Sequence, residues 1–149
     1  MPDPSRHDFT HHDLTGRILR ACYEVYGELG TGFLESVYEA AVCTVLSRTG
    51  LIVQQQVVLP VWFRGEQIAR FRADAVVEGV VVLELKAARA IDPAHEAQLL
   101  NYLKASRIGI GLLFNFGPRP RFRRMVFTPT GIHQTPIDAL LQGAEATAS

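Results

Sequence analysis

Apolar residues recur along this chain with two different periods, and the change of period divides the chain into predicted elements. From Thr15 to Leu29 they recur every three or four positions, which predicts an amphipathic helix with Thr15 as N-cap and Gly30 as a left-handed C-terminal stop. A second helix is predicted between Gly32 and Gly50. The two predicted apolar stripes are Ile18, Leu19, Cys22, Val25, Tyr26, Leu29, Val37, Tyr38, Ala41, Val42, Val45 and Leu46.

Strand-forming residues dominate the middle of the chain. The segment 52–63 is rich in Val, with Trp and Phe at its end, and Pro60 within it predicts an edge strand or a bulge. After a turn at 64–66, further strands are predicted over 67–77 and 80–86. The three strands are predicted to form an antiparallel meander.

A helix is predicted over 93–105, because Asp92 suits the N-cap and is followed by proline at the first helical position. The strongly apolar segment 108–116 is predicted to be a buried strand. Because a helix precedes it, we expect it to lie parallel to the strand 80–86 through a crossover. A last strand is predicted at 124–128.

This order of elements predicts an α/β fold with one domain over 14–136. Its sheet should be mixed but mainly antiparallel, with about four or five strands flanked by helices. A flexible N-terminal segment is predicted over 1–13 and a tail over 137–149. The N-terminal segment contains His7, His11 and His12, and a solvated terminus is favoured there over a metal site.

Composition narrows the class of protein. A hydrophobic content of 48% and a charged content of 20% are typical of globular proteins. No apolar run is long enough to cross a membrane, and no signal peptide is recognisable. Cys22 and Cys43 lack metal-ligand spacing, so we expect reduced, buried thiols in a cytoplasmic protein. The formal net charge of zero means that nucleic acid would have to be bound by a local patch.

Three charged residues, Asp74, Glu84 and Lys86, interrupt the most apolar part of the chain. Charged side chains in such a run usually pair, bind metal or take part in chemistry. Two carboxylates on neighbouring strands suit Mg²⁺, which lowers the pKa of a bound water and polarises a phosphate. Lys86 projects from the same strand face as Glu84 and could orient the water or stabilise charge on the phosphate.

The metal hypothesis imposes a geometric condition on the turn between these strands. A two-residue turn at 78–79 would direct Asp74 and Glu84 to opposite sides of the sheet. A three-residue loop, such as 77–79, or a bulge would direct both to one side. The hypothesis therefore predicts an odd-length loop or a bulge.

Five blocks of sequence resemble a known protein family. Asp74 followed by Glu84-x-Lys86 on the next strand is similar to the PD-(D/E)XK nuclease superfamily, with Ala73 in place of the proline that names the motif. The first block resembles the signature of the bacterial GxxExxY proteins, a branch of that superfamily. The blocks, which span about Leu14 to Val126, are Gly32–Tyr38, Arg72–Asp74, Glu84–Lys86, Gln98–Tyr102 and Leu113–Gly117.

The resemblance implies a restriction-endonuclease-like core and a metal-dependent nuclease site. Asp74 and Glu84 would be metal ligands, with the Leu85 carbonyl as a third, and Lys86 would be the catalytic lysine. Glu35 would match the helical acidic residue that reaches the same site as catalytic residue and ligand. The implied cofactor is Mg²⁺ or Mn²⁺.

Gln98 and Tyr102 match the Gln-x-x-x-Tyr element that flanks the metal and contacts DNA in related exonucleases. The implied function is hydrolysis of phosphodiester bonds in DNA by metal-activated water. A non-cleaving nucleic-acid-binding or interaction module with the same fold is the alternative, because fold does not establish turnover. A homodimer that grips a duplex is also compatible with the sequence.

Plainer interpretations stand beside each functional one. The charges at 74, 84 and 86 could form a structural ion-pair cluster, and Glu35 could simply complement the helix dipole. Gln98 and Tyr102 could cap the core with their polar tips. The basic cluster Arg119, Arg121, Arg123 and Arg124 could bind phosphates or be an ordinary exposed loop.

Overall fold

The computed structural model describes residues 11–128, which form three helices and one five-stranded sheet. The predicted N-terminal segment up to residue 10, with His7, and the predicted tail 137–149 lie outside the described residues. The elements in chain order are α1 (His11–Leu29), α2 (Glu35–Arg48), β1 (Val53–Phe63), β2 (Glu66–Val77), β3 (Val81–Lys86), α3 (Pro93–Ser106), β4 (Ile110–Asn115) and β5 (Arg121–Val126).

The sheet has the strand order β1-β2-β3-β4-β5. Neighbouring strands are antiparallel except β3 and β4, which are parallel and joined through α3. The predicted mixed, mainly antiparallel sheet and its crossover are therefore confirmed. Pro60 lies on the edge strand β1, next to a register shift between Val61 and Trp62, so both features predicted from this proline are present.

Helices cover both faces of the sheet. Alternate residues of β3, including Val81 and Leu83, pack with α1 and α2 in one apolar cluster. Val82 packs with Leu99 and Leu103 of α3 in a second cluster on the opposite face. This alternation follows from the two-residue period of a strand and directs even-numbered residues of β3 toward α3.

Two local predictions were wrong. Thr15 is not an N-cap, because α1 begins at His11 and Thr15 is buried within it, donating its hydroxyl to the His12 carbonyl oxygen at 3.0 Å. In α2, Val37 was predicted to be buried but is exposed, because the buried residues of this helix are 38, 42, 43 and 46. Both cysteines are free and buried, as predicted.

No helix among residues 11–128 is long and apolar enough to cross a bilayer.

Candidate functional site

The loop between β2 and β3 meets the geometric condition of the metal hypothesis. Val77 pairs with Val81, so the loop consists of the three residues 78–80. Its first two residues have positive φ, 54° and 69°, and the amide of its third donates to the Val77 carbonyl oxygen at 3.1 Å. The predicted odd length is confirmed, one residue later than 77–79. Continued by one pair beyond Ala75 and Leu83, this register would place Asp74 opposite Glu84.

The ladder between β2 and β3 is interrupted at these two acids. Its last backbone pair is Ala75 with Leu83. The amide of Asp74 donates to Glu84 Oε1, and the amide of Leu85 donates to Asp74 Oδ2, both at 2.8 Å. Carboxylates therefore accept hydrogen bonds from the backbone where the regular ladder ends. Each acid has a second carboxylate oxygen that these bonds do not use.

We call the end of the ladder at Asp74 and Glu84 the gap. Lys86 lies beside this gap, and two side chains contact its amine. Its Nζ is 4.0 Å from Glu84 Oε2 and donates to Gln98 Oε1 at 3.0 Å. The lysine side chain is 16% exposed and that of Glu84 is 4% exposed. Since even-numbered residues of β3 point toward α3, Gln98 of that helix can reach the amine. The structure thus brings three of the predicted site residues together.

Tyr102 lies one turn beyond Gln98 on α3 and is buried. Its ring contacts Phe71 of β2, with 5.4 Å between the centroids. Burial, and after it the charges of Glu84 and Asp74, raise the pKa of Tyr102 to about 12. The phenol is therefore protonated at neutral pH and lies within the electrostatic reach of both acids.

Glu35 is the first residue of α2 and is exposed. Its Oε1 accepts a long hydrogen bond, 3.4 Å, from the amide of Ala87, which directly follows β3. The helical acid predicted to reach the site is therefore at the end of the strand that contains Glu84 and Lys86. Its hydrogen bond is to the backbone and not to Asp74 or Glu84, but its charge contributes to the raised pKa of both acids.

Glu39, which the sequence reasoning missed, is closer to Asp74. It lies one turn after Glu35 on α2 and shares a side-chain hydrogen bond with Asp74. Its other contacts come from β1: Gln56 Nε2 donates to Oε1 at 2.6 Å and Gln55 Nε2 to Oε2 at 3.3 Å. Spacing of four from Glu35 was the available signal, since it puts both acids on one helix face.

The electrostatics of the gap disfavour two free negative charges. Burial, followed by the charge of Asp74, raises the pKa of Glu84 to about 8, although a hydrogen bond from Asp74 and the charge of Lys86 act in the opposite direction. The pKa of Asp74 is also raised, chiefly by burial. A cation between the two acids would offset the cost that raises both pKa values.

The residues present suit a divalent cation that takes only one or two of its ligands from protein side chains. Among residues 11–128, no three His, Cys, Asp or Glu side chains converge into a ready-made metal cage. Mg²⁺ is, however, typically held by one or two carboxylates together with waters and substrate phosphates. Asp74 and Glu84, each with an oxygen left over from the backbone bonds, supply that donor set.

The four predicted basic residues do not form one patch. Arg119 precedes β5, and Arg121, Arg123 and Arg124 lie on that strand, which begins earlier than the predicted 124–128. Arg123 Nε pairs with Glu96 Oε1 of α3 at 3.1 Å. Arg124 lines a different cavity from the other three, near the loop between β2 and β3.

Comparison with known proteins identifies the family and the fold. A family model described as the PD-(D/E)XK nuclease superfamily matches residues 12–125. No protein of curated function matches the chain. The solved structure named "Crystal structure of SSO0001" is similar, with a TM-score of 0.51 and 18% sequence identity over 75% of this chain. This chain covers 58% of that protein's length, and the likeness concerns the fold alone.

Proposed function

The chain belongs to the PD-(D/E)XK nuclease superfamily, and we propose that it hydrolyses phosphodiester bonds in DNA with a divalent cation bound at Asp74 and Glu84. The observation that carries this proposal is the end of the β2–β3 ladder, where the buried Glu84 and the half-buried Asp74 accept backbone hydrogen bonds beside Lys86. Members of this superfamily usually use divalent metals, and Mg²⁺ or Mn²⁺ is the ion we propose here.

The protein groups of the gap have separate proposed roles. Asp74 and Glu84 each offer one carboxylate oxygen, while the Leu85 carbonyl and the Glu35 carboxylate are the further ligands we propose. When bound there, a divalent cation would polarise the phosphate and lower the pKa of a water. The backbone bonds to both acids fix their orientation before any ligand arrives, which reduces the cost of ordering them.

Lys86 is proposed to stabilise charge on the phosphate or to hold the attacking water. Gln98 fixes the amine by accepting its hydrogen bond at 3.0 Å. Tyr102 can donate a hydrogen bond to substrate, because its phenol is protonated at neutral pH, as an ordinary tyrosine is. The raised pKa of about 12 extends this to more alkaline pH. Preorganised donors of this kind are effective because they need little rearrangement during the reaction.

Assignment to the GxxExxY branch is a finer part of the proposal. Gly32 has φ 108°, a conformation that favours glycine, and leads into α2. The buried Tyr38 donates its hydroxyl to the Gly30 carbonyl oxygen at 2.6 Å and accepts from the Phe33 amide at 3.3 Å. The three signature positions are Gly32, Glu35 and Tyr38. Gly32 and Tyr38 shape the turn before α2, and Glu35 begins that helix and accepts from the Ala87 amide. A cytoplasmic location and a homodimer stay predictions.

A non-cleaving nucleic-acid-binding or interaction module is the second candidate function. The observation that favours it is the lack of a three-ligand cage among the described residues. The same fold would then use Asp74 and Glu84 only to complete the sheet. Metal binding and turnover distinguish the two candidates.

The test is cleavage of single- and double-stranded DNA and RNA by the purified chain with Mg²⁺ or Mn²⁺. We expect Lys86→Ala to lower the rate by about 10²- to 10³-fold, as for other electrostatic groups of an active site. Lys104→Ala, a lysine change at an exposed position of α3, is the matched control and should leave the rate unchanged. Circular dichroism should show both variants folded.

Two results would decide against hydrolysis. The wild-type chain could leave all four substrates intact with either ion. Alternatively, nucleic-acid binding could persist unchanged in Asp74→Ala with no cleavage by the wild type, which would favour the binding module.

A further inference from the structure

A basic cavity lies between the loop that follows β3 and the loop that precedes β5. Its volume is about 470 Å³. The residues that define it are Arg89, Ile91, Pro118, Arg119, Arg121 and Arg123. Arg89 was not among the predicted basic residues, because the sequence separates it from the others. The fold thus gathers four guanidinium groups in one concave surface of a chain with zero formal net charge.

Among residues 11–128, most of this positive charge lacks a carboxylate partner. Within residues 11–128, the only recorded ion pair of these arginines joins Arg123 to Glu96. Arg89, Arg119 and Arg121 are exposed, and no carboxylate lies within 4.0 Å of them in that part of the chain. Three guanidinium groups are therefore available to an anion, and their planar donors match phosphate oxygens.

The two walls of the cavity are fastened to each other. The buried Asn115, at the end of β4, accepts from the Ala88 amide at 2.8 Å and donates to the Ala88 carbonyl oxygen at 2.9 Å. A Cβ on Gly117 would overlap that same carbonyl oxygen, so glycine allows the loops to meet closely. The cavity is consequently formed before any ligand binds.

The cavity lies at the same end of the sheet as the interrupted ladder. Lys86 pairs with Asn115, and Asn115 pairs with Arg121, so the three residues form one row across β3, β4 and β5. Since neighbouring strands are about 4.8 Å apart, the backbones of Lys86 and Arg121 are separated by about 10 Å. That distance corresponds to about three nucleotides at roughly 3.4 Å of rise each.

We propose that this cavity binds a phosphate group of the nucleic acid whose scissile phosphate lies at Asp74 and Glu84. The proposal rests on the function proposed above and adds a substrate subsite to it. Arg89, Arg119 and Arg121 are the contacting residues, and Arg123 is held in place by Glu96. Arg124 has no part in it, because it lines a separate cavity.

The test measures binding of fluorescent DNA oligonucleotides in EDTA, where no cleavage interferes. We expect Arg89→Ala and Arg121→Ala each to weaken binding about tenfold, as for loss of one charge-assisted hydrogen bond. Each should also reduce the slope of log K against log salt by about 0.7 to 0.9. Arg124→Ala removes the same charge from the same strand as Arg121 and should bind like the wild type.

Oligonucleotides with phosphate ends and with hydroxyl ends distinguish binding of a terminal phosphate from binding of an internal phosphate. If the variants lose affinity for both, the cavity binds an internal phosphate. If they lose affinity only for the phosphate-ended strand, it binds a terminal one. Either result supports a phosphate subsite.

Failure of this proposal and failure of the proposed function are distinguishable. Equal weakening by Arg124→Ala and Arg121→Ala, or no weakening by Arg89→Ala, overturns the cavity proposal even if the wild type cleaves DNA. A wild type that binds DNA through Arg89 and Arg121 but does not cleave overturns only hydrolysis. A wild type that binds no oligonucleotide overturns the cavity proposal as well.

Discussion

At the scale of single residues, Glu84 has two tasks whose energetic demands conflict. Its carboxylate accepts the Asp74 amide where the regular ladder ends, which supports the sheet. Its burial next to a second acid makes the ionised form costly, which raises its pKa to about 8. A neutral side chain with the same acceptor would support the sheet without that cost.

We therefore expect Glu84→Gln to increase the free energy of unfolding in the absence of metal. Between pH 4.5 and about 8 the folded wild type keeps a proton that the unfolded chain releases, so its stability falls as the pH rises through that window. The gain in Glu84→Gln should be on the order of a few kcal/mol above pH 8 and should vanish below pH 4.

Urea denaturation in EDTA across this pH range measures the effect. Glu28→Gln, at an exposed position of α1, is the matched control and should follow the wild-type stability across this pH range, because it retains Glu84. A Glu84→Gln variant less stable than the wild type at alkaline pH would contradict the assignment of the cost to Glu84.

Some residues of the candidate site could be predicted and others could not. Asp74, Glu84 and Lys86 are conspicuous because charges are rare in an apolar run. Glu39 is not conspicuous, because an acid on a helix is ordinary and its partners Gln55 and Gln56 lie on an edge strand. Only the packing of α2 against β1 brings these groups together.

At the scale of elements, the loop 78–80 determines which side of the sheet the acids share. Gly79 occupies the left-handed region at φ 69°, and a Cβ there would meet no other atom. The conformational requirement can therefore be measured apart from any steric clash.

We expect Gly79→Ala to lower the free energy of unfolding by about 1 kcal/mol, the cost of a left-handed alanine. Gly16→Ala is the matched control, because a Cβ on Gly16 also meets nothing but the residue lies within α1. It should raise the free energy of unfolding by about 0.5 to 1 kcal/mol. Equal signs for the two substitutions in urea denaturation would contradict this account of the loop.

The bounds of buried strands could be predicted from the sequence, whereas the start of an exposed edge strand could not. The apolar strands β3 and β4 were predicted because buried residues dominate them. The start of β5 was missed, since Arg121–Val126 is an edge strand in which exposed residues conceal the two-residue period. The sequence presents its arginines as one basic cluster, either a phosphate-binding patch or an exposed loop. The separation of Arg124 from Arg121 is visible only from the strand.

At the scale of the whole molecule, the proposed cation would couple the site to global stability. The gap joins β2 and β3, two neighbouring antiparallel strands in the interior of the five-stranded sheet, and unfolding separates its two acids. A ligand that binds only the folded state stabilises it according to its concentration.

We expect Mn²⁺ at a hundred times its Kd to raise the free energy of unfolding of the wild type by about 2.7 kcal/mol. Asp74→Asn should abolish this gain, whereas Glu28→Gln should retain it, because Glu28 is an exposed residue near the end of α1 and is not one of the proposed ligands. Thermal denaturation with and without the ion measures the difference. An identical gain in Asp74→Asn would show that the ion binds elsewhere.

The hydrogen bonds at the end of the β2–β3 ladder do not by themselves require acids at positions 74 and 84. An amide side chain at position 84 could accept the same backbone N–H bond at no charge cost, and one at position 74 likewise. The needs of the sheet alone therefore give no reason for two acids in its interior. What a carboxylate offers and an amide lacks is negative charge, which attracts the neighbouring Lys86 amine and would attract the proposed cation.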